Sequence, residues 1–189
     1  VGGVERRDVI ESSRVRLGMK AIGLASSGLH SNGYSLARKI VFEELGLSLT
    51  DPFPGADHDV ATELLTPTRI YVKSVLRAAK EFGLGGICHI TGGGFQENLP
   101  RVLPDGAAIV VDRQAWTLPN VFSVLQEQGG LSDEGLLRTF NSGIGMVLLV
   151  DADQAHAACE LLSALGEQPA VIGEVVRREG SGAPQVVFA

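Results

Sequence analysis

The sequence predicts an α+β fold, a mixed β-sheet with helices packed on its faces. Short apolar runs typical of buried strands alternate with segments whose apolar residues have helical spacing. The last two runs, residues 170–176 and 185–188, are predicted to form a hairpin across a flexible loop. Such a hairpin argues against a purely parallel sheet. No internal repeat or low-complexity segment divides the chain, so we expect residues 1–189 to form a single domain.

The composition is that of an ordinary globular domain. Of 189 residues, 44% are hydrophobic and 20% are charged. The net charge of −6 gives no general basic surface for nucleic acid, so a phosphate ligand has to be held by local donors. No apolar run approaches the roughly 20 residues of a membrane helix. Cys88 and Cys159 are too few for a disulfide framework or a zinc site. We therefore expect a cytoplasmic protein with two reduced thiols and no nucleic-acid or membrane partner.

Two strands and a helix are predicted in the first part of the chain. Residues 4–10 are predicted to form a short strand that ends in a turn at residues 11–14. The apolar run Lys20–Ala25 is predicted to be a buried strand. Residues 36–45 follow as a helix because their apolar side chains fall on one face, and Gly46 is expected to end it.

Two more helices are predicted after a proline-containing loop at residues 48–56. The first covers residues 57–65. The second is predicted to start at Thr66, as its N-cap, with Pro67 in the first turn, and to continue to Phe82.

The rest of the chain continues the alternation of strands and helices. The predicted strands are residues 86–90, Ala107–Val111 and Ile144–Val150, and the predicted helices are residues 95–99, 119–128, 131–138 and 153–165. Ser132 is expected to cap the helix at residues 131–138. His89 and Trp116 are expected to be packing residues.

Residues 26–35, Ser-Ser-Gly-Leu-His-Ser-Asn-Gly-Tyr-Ser, join the Lys20–Ala25 strand to the helix that follows it. A turn of this kind leaves backbone N–H groups free at the helix start, where an anion can accept hydrogen bonds from them. The residues alone leave two interpretations open. One is a phosphate site, and the other is a well-capped turn in which Ser31 or Asn32 caps the helix and glycines take tight conformations.

The segment Thr91-Gly92-Gly93-Gly94 directly follows the next predicted strand. Three consecutive glycines let the backbone come close to a ligand, although glycine runs also form tight turns. The segment is neither a Walker A loop nor a Gly-x-Gly-x-x-Gly fingerprint. Because both loops follow buried strands of one sheet, we predict that they lie side by side at one rim of that sheet.

Several stretches of the chain resemble a known family. Residues 26–35 are similar to a signature of aminoimidazole ribonucleotide synthetase, also called phosphoribosylformylglycinamidine cyclo-ligase. Residues 67–74 (Pro-Thr-Arg-Ile-Tyr-Val-Lys-Ser) and 89–98 (His-Ile-Thr-Gly-Gly-Gly-Phe-Gln-Glu-Asn) match the same family, as do residues 138–146. The resemblance covers only the carboxy-terminal half of that enzyme and implies the α+β fold of that half. We therefore expect residues 1–189 to be this domain and the amino-terminal, ATP-binding half to be absent.

The resemblance implies a ring closure in purine biosynthesis. In this family ATP phosphorylates the formyl-derived amide oxygen of formylglycinamidine ribonucleotide. The amidine nitrogen then closes the imidazole ring, and ADP and phosphate are released. Phosphoryl transfer of this kind depends mainly on positioning and on charge neutralisation by donors and Mg²⁺. The family's missing half carries much of the ATP site and the dimer interface.

The cofactors and partners expected from this resemblance are therefore those of the full enzyme. The cofactors are ATP and Mg²⁺, held mainly by the amino-terminal half. The partners are the ribonucleotide substrate, the amino-terminal half and a second copy of the full enzyme. No carboxylates of this chain have metal-ligand spacing, so no residue is assigned to a metal, and the isolated chain is expected to be inactive.

The candidate site residues come from the two loops and from the segment before Ile144–Val150. His30 is the candidate catalytic group, because an imidazole changes charge near neutral pH; the alternative is a structural histidine bonded to the backbone. The candidate substrate- or phosphate-binding residues are Ser26, Ser27, Gly28, Ser31, Asn32, Gly33, Thr91, Gly92, Gly93, Gly94, Phe95, Asn98 and Asn141. Arg69 and Lys73 either belong to a solvated helix face or reach an anion or a partner domain.

Two other kinds of function remain open from the sequence. Selenophosphate synthetase, thiamine phosphate kinase and formylglycinamidine synthetase share the architecture but not the combination of the two loop motifs. A free-standing module that binds a nucleotide or a protein without chemistry is the other alternative. An upstream reading frame that encodes an ATP-binding half would exclude the free-standing module.

Overall fold

The computed structural model describes residues 3–189, and its central element is a six-stranded mixed β-sheet. The strands are β1 (Lys20–Ala25), β2 (Gly86–His89), β3 (Ala107–Val111), β4 (Ile144–Val150), β5 (Pro169–Arg177) and β6 (Val186–Phe188). Their order across the sheet is β2-β4-β1-β5-β3-β6. The pairs within the first five strands of this order are antiparallel, and β6 is parallel to β3. The predicted fold class is confirmed.

Helices connect these strands and cover both faces of the sheet. The helices are α1 (Tyr34–Arg38), α2 (Val60–Leu64), α3 (Val72–Phe82), α4 (Gly94–Asn98), α5 (Asn120–Gln128), α6 (Asp133–Thr139) and α7 (Ala155–Ala164). Helix α1 continues as a π-helical segment, Lys39–Glu44, and Gly46 follows it with a φ of 65°, as predicted. Ser132 caps α6 as predicted, because its hydroxyl accepts from the Gly135 N–H at 3.1 Å.

The alternation of side chains along the strands builds a core on each face of the sheet. Ile22 and Leu24 of β1 pack with α3 and α7 on one face, whereas Ala21 belongs to the cluster on the other face. That second cluster includes Phe95 of α4 and Leu137 of α6. A third cluster lies among α1, α2, α5 and α6. None of the helices within residues 3–189 has the length and apolarity needed to cross a bilayer.

The strand predicted at residues 4–10 is wrong. The structure has two short 3-10 turns there, Arg6–Asp8 and Ser12–Arg14, and neither turn contains a buried residue. Charged side chains interrupt this segment too often for it to present a continuous apolar face to the sheet.

The helix start predicted at Thr66 is also wrong, because α3 begins only at Val72. Residues 66–71 form an irregular segment, here called the strap, that is held by distant parts of the chain. The Ser27 hydroxyl donates to the Pro67 carbonyl at 2.7 Å, and the Tyr71 hydroxyl donates to the Ala25 carbonyl at 2.7 Å. These tertiary bonds replace the helical turn that the Thr-Pro pair suggested.

The hairpin predicted from residues 170–176 and 185–188 is wrong, although both strands exist. Strand β5 pairs with β1 and β3, and β6 lies on the far side of β3. The connecting loop crosses the start of β3, where the Gln185 side chain donates to the Pro104 and Ala107 carbonyls at 3.2 and 3.1 Å. The sheet is nevertheless mixed, because its antiparallel pairs come from other strands.

Candidate functional site

Three loops converge at one rim of the sheet. Strand β4 is antiparallel to both β1 and β2, so β1 and β2 run in the same direction and end where β4 begins. The first loop (residues 26–33) follows β1, the second loop (residues 91–95) follows β2, and the third loop (residues 140–143) precedes β4. A Cβ built on Gly92 lies 3.7 Å from the Asn32 side-chain oxygen. The prediction that the first and second loops are neighbours is therefore confirmed.

Unusual backbone conformations concentrate in these loops. Within residues 3–189, the non-glycine residues with positive φ are His30 (51°), Ser31 (58°) and Ser142 (50°), and all three lie in the first or third loop. Gly93 and Gly94 of the second loop are also left-handed, with φ of 87° and 57°. Such conformations cost free energy and persist only where surrounding contacts hold them, which is typical of ligand sites. Consecutive left-handed residues also turn neighbouring N–H groups toward one side.

Asn141 joins the third loop to the first. Its side chain is fully buried, with its amide nitrogen donating to the Gly28 carbonyl at 2.8 Å. Its oxygen accepts from the Ser26 hydroxyl at 3.0 Å and from the Gly143 N–H at 2.9 Å. Both ends of the amide are occupied by protein, so Asn141 shapes the loops instead of offering a donor to a ligand.

Asn98 has the same role in the second loop. It is 2% exposed, and its amide nitrogen donates to the carbonyls of Thr91, Gly92 and Gly94 at 3.3, 3.2 and 2.7 Å. Its oxygen accepts from the Thr91 hydroxyl at 3.0 Å. The carbonyls of the glycine loop are thereby turned inward toward Asn98, the last residue of α4.

Close packing fixes the glycine positions of both loops. A Cβ on Gly33 would lie 2.3 Å from the Phe140 ring, and a Cβ on Gly94 would lie 1.9 Å from the Leu137 carbonyl oxygen. Phe95 is fully buried and stacks on Trp116, with ring centroids 5.8 Å apart. The Trp116 indole N–H donates to the Ser142 carbonyl at 2.8 Å, so Trp116 is the packing residue that the sequence predicted.

His30 connects the first loop to the strap. The residue is 3% exposed, and its Nε2 atom accepts from the backbone N–H of Ser27 at 3.0 Å and of Arg69 at 3.3 Å. Two N–H donors on Nε2 place the ring proton on Nδ1. Nδ1 has no hydrogen-bond partner among the described residues. Burial, with a smaller effect of the charges on His89 and Arg69, lowers the pKa of His30 from 6.5 to about 4.

Gly145 makes room for this arrangement. A Cβ at this position would lie 2.2 Å from the Tyr71 hydroxyl oxygen and 2.7 Å from the His30 ring. The two rings meet edge to face, with centroids 6.1 Å apart. A glycine inside the apolar run of β4 was the sequence signal for a close approach of other groups, but the sequence does not identify those groups.

A buried carboxylate holds the other side of the strap. Glu167 is 7% exposed and accepts from Arg69 Nε at 2.8 Å and from the Ser74 hydroxyl at 2.6 Å. Arg69 is therefore bound within the domain and lies before the start of α3, so neither of the two roles predicted for it, a solvated helix face or contact with a ligand anion or a partner domain, describes its position. Glu167 and Tyr71 were missed from the sequence, because their partners are distant along the chain.

The groups that remain open to solvent define the face a ligand can reach. Ser27, Ser31 and Gly92 are exposed, and Asn32 and Gly93 are half-buried. Ser26, Gly33 and Thr91 are half-buried as well, whereas Gly28, His30, Gly94, Phe95, Asn98 and Asn141 are buried. Within residues 3–189, the amides of Gly92 and Gly93 donate to no backbone carbonyl. The open face thus presents hydroxyls and N–H groups, and one carboxylate, that of the exposed Glu97, lies beside Gly93.

A cation has no evident place among these groups. In the described part of the chain, no three His, Cys, Asp or Glu side chains are grouped so that they could hold a metal ion. His89, predicted to lie in the core, is instead exposed as the last residue of the edge strand β2.

The burial of a neutral imidazole makes the stability of this region depend on pH. A pKa of about 4 in the folded state and 6.5 in the unfolded state means that the unfolded chain binds the proton more tightly. The stabilising contribution is present above pH ~6.5 and is lost as the pH falls toward ~4. The free energy of unfolding decreases by about 2–3 kcal/mol over this range. Urea unfolding of wild type and His30→Gln between pH 7 and pH 4 measures this difference. A variant that loses as much stability as wild type over this range would contradict a neutral His30.

One family model matches the chain over most of its length. The model is AIR synthase related protein, C-terminal domain, and it matches residues 16–184. The phosphoribosylformylglycinamidine cyclo-ligase of Geobacter metallireducens is 52% identical over 179 residues, which cover 95% of this chain and 51% of that protein. The cyclo-ligase of the same name from Trichlorobacter lovleyi is 48% identical over 188 residues, covering 100% of this chain and 54% of that protein. The chain spans about half the length of the curated relatives it matches.

Solved structures share the fold at lower sequence identity. Thiamine-monophosphate kinase from Stenotrophomonas maltophilia superposes with a TM-score of 0.64 at 18% identity, covering 98% of this chain and 54% of that one. Hydrogenase maturation protein HypE in complex with ATP superposes with a TM-score of 0.61 at 19% identity, covering 98% of this chain and 51% of that one. At these identities the likeness concerns the fold alone. The family match and the high identity to the cyclo-ligases together confirm the resemblance seen in the loop motifs: the chain belongs to the AIR synthase related family, as its C-terminal domain.

Proposed function

We propose that this chain is the carboxy-terminal half of an ATP-dependent phosphoribosylformylglycinamidine cyclo-ligase that works in the cytoplasm. The observation that carries the proposal is the identity of about one residue in two, over nearly the whole chain, to proteins of that name. The full enzyme would convert formylglycinamidine ribonucleotide to aminoimidazole ribonucleotide as a homodimer. The kinase and HypE relatives share less than a quarter of their residues with this chain, so they support the fold and not their own reactions.

We assign the three-loop rim to the binding of a phosphate group of the substrate or of the nucleotide. The exposed hydroxyl of Ser31 and the amides of Gly92 and Gly93 are neutral donors around one opening, whereas the Ser27 hydroxyl already donates to the Pro67 carbonyl. Such donors suit a phosphate in a chain whose net charge is −6, because recognition does not then depend on the overall field. Donors of this kind contribute about 0.3–1 kcal/mol each for an exposed anion, so the isolated chain is expected to bind phosphate only in the millimolar range.

The buried members of the candidate set have a positioning role in this proposal. The side chains of Asn98 and Asn141 form their hydrogen bonds with groups of the loops, and Gly94 and Phe95 pack inside the domain. His30 holds the first loop against the strap through its Nε2 atom. The catalytic role suggested for His30 stays a prediction. The ring is buried and is neutral at physiological pH.

The residues of this chain are better suited to bind the phosphates of ATP than to bind the Mg²⁺ that accompanies it. Hydroxyl and amide donors at the rim match phosphate oxygens, whereas the described residues include no cluster of three His, Cys, Asp or Glu side chains that could hold Mg²⁺. We therefore assign the Mg²⁺ ligands to the amino-terminal half. ATP would supply the phosphoryl group when bound, and the rim donors of this chain would orient the phosphate that they hold.

Gly92 provides a direct test of phosphate binding at the rim. Its φ is not left-handed, and a Cβ there meets only the Asn32 oxygen at 3.7 Å, so Gly92→Val should preserve the fold. The valine methyls would fill the opening between the first and second loops, so we expect phosphate to bind at least about tenfold more weakly. The measurement is an amide NMR titration of the wild type and the variant with inorganic phosphate, following Ser31, Gly93 and residue 92.

Gly106→Val is the matched control, because Gly106 is exposed, has no atom within 4 Å of a Cβ and lies at the start of β3. It should change stability by no more than about 0.5 kcal/mol and leave the phosphate shifts intact. Phosphate-induced shifts outside the three loops, or equal binding by wild type and Gly92→Val, would argue against the rim as the site.

A further inference from the structure

The face next to the rim carries an apolar groove that is not covered in this domain. The groove has a volume of about 350 Å³ and lies between the strap, the first turns of α3 and the ends of β2 and β4. Ile70 is 81% exposed, Val72 60% and Leu76 66%, and all three belong to its lining. Met146 of β4 and the exposed His89 of β2 form the opposite wall.

The exposure of these side chains follows from the contacts of the strap. Arg69 turns inward to Glu167, and Tyr71 turns inward to the Ala25 carbonyl, so Ile70 between them points outward. On α3, Ser74 and Ala78 are buried against the domain, which leaves Val72 and Leu76 on the outer side. Contiguous exposed apolar side chains of this size are uncommon on a monomeric domain and mark interaction surfaces.

Two observations identify what the groove receives. The curated relatives are about twice as long as the part of them that this chain matches, and the matching model is a C-terminal domain, so their remaining residues precede it. In this chain the segment at residues 4–10 runs along the same face, where it lines a second cleft together with Leu76, Lys80 and Ile87. A domain that precedes residue 4 would therefore lie beside the groove and not at the far edge of the sheet, where β6 lies.

We propose that this groove, defined by Ile70, Val72, Leu76 and Met146, is the docking surface for the amino-terminal half of the cyclo-ligase. The inference rests on the proposed function, because that function requires such a half. The partner surface would present apolar side chains at its centre and carboxylates at its border, because Lys73 lines a cleft beside Ile70 and Lys80 lines a cleft beside Leu76.

The position of the groove gives this docking a consequence for the site. Arg69 donates its backbone N–H to His30 in the first loop, and His89 stands two residues before the second loop. A domain seated in the groove would therefore lie against the rim. It would close the open side of the three loops and bring its own carboxylates next to the hydroxyls and amides of this chain.

Thiol labelling tests the docking surface in the intact two-domain protein. Single cysteines are introduced as Ile70→Cys and Leu76→Cys, with Leu49→Cys as the control, since Leu49 is 54% exposed in a loop outside the groove. The background is Cys159→Ser; Cys88 stays, because it is buried and burial raises the pKa of its thiol to about 12. Maleimide labelling is compared between this chain alone and this chain joined to the amino-terminal half of a curated relative.

The labelling rates at positions 70 and 76 are expected to fall by at least about 100-fold in the two-domain protein, while the rate at position 49 changes by less than about twofold. Equal rates at 70 and 76 in both proteins would overturn the proposal. Slow labelling of the isolated chain that becomes fast on dilution would also overturn it, because a second copy would then occupy the groove.

A second variant keeps the test independent of labelling chemistry. The double substitution Ile70→Asp and Leu76→Asp should leave the melting temperature of the isolated chain unchanged and lower that of the two-domain protein. The same effect in both proteins would contradict the docking surface. Neither measurement uses a substrate, so protection of the groove in a protein without cyclisation activity would reject the proposed function and retain the docking surface. Cyclisation activity without protection of positions 70 and 76 would reject the docking surface and retain the proposed function.

Discussion

Replacing Asn141 by Ala is expected to lower the free energy of unfolding by about 3 kcal/mol. The substitution removes the partners of the Gly28 carbonyl, the Ser26 hydroxyl and the Gly143 N–H in a place without solvent. A buried polar group without a partner costs about 1–3 kcal/mol, and a lost buried network lies in the upper part of the range for single substitutions. Urea unfolding of the purified chain, followed by circular dichroism, measures the change.

Asn120→Ala is the control for this substitution. Asn120 is an exposed asparagine whose side chain donates to the Pro54 carbonyl at 2.8 Å. Its replacement should cost no more than about 1 kcal/mol. If the two variants lose the same stability, Asn141 does not hold the first and third loops together in the way described here.

Gly94→Ala is expected to have the largest effect of any substitution considered, at least about 4 kcal/mol or failure to fold. A Cβ at this position would lie 1.9 Å from the Leu137 carbonyl oxygen and 3.0 Å from the Phe140 carbonyl oxygen. Both obstacles are backbone atoms at the end of α6, which cannot turn away as a side chain can. The left-handed φ of 57° adds strain of about 1–2 kcal/mol.

Gly130→Ala separates the clash from the backbone strain. Gly130 has the same φ of 57°, and a Cβ there meets nothing within 4 Å. Its replacement should cost about 1–2 kcal/mol, the strain alone. Thermal unfolding of both variants distinguishes the contributions. A folded Gly94→Ala protein as stable as Gly130→Ala would show that the second loop does not pack against α6 as closely as the structure indicates.

Three interior strands of the sheet are the part of the fold that the sequence predicted best. Lys20–Ala25, Ala107–Val111 and Ile144–Val150 have the predicted bounds, because each is a continuous apolar run between polar or glycine-containing turns. Local signals of this kind depend only on neighbouring residues. The predicted start of α3 was wrong for the opposite reason, because the strap is shaped by Ala25 and Glu167, which lie far away along the chain.

The site was predicted in part for the same physical reason. Glycine and serine runs after two strands indicated where the loops are, and the parallel direction of β1 and β2 brought them together. The sequence did not indicate which polar residues face the ligand and which hold the loops. Asn98 and Asn141 look like donors in the sequence, but their amides are consumed by backbone partners that only the folded chain brings near.

The most direct test of the proposal that this chain is one half of a cyclo-ligase site is an assay of ring closure with ATP, Mg²⁺ and formylglycinamidine ribonucleotide. This chain is assayed alone and joined to the amino-terminal half of a curated relative, and ADP and aminoimidazole ribonucleotide are quantified together. The chain alone should form neither product, and the two-domain protein should form both in equal amounts. In the two-domain protein, Gly92→Val should lower kcat/KM by about 100-fold, equal to about 2.7 kcal/mol, and Gly106→Val should not. Product formation by the isolated chain at rates near those of the two-domain protein, or full activity of the Gly92→Val protein, would contradict the proposal.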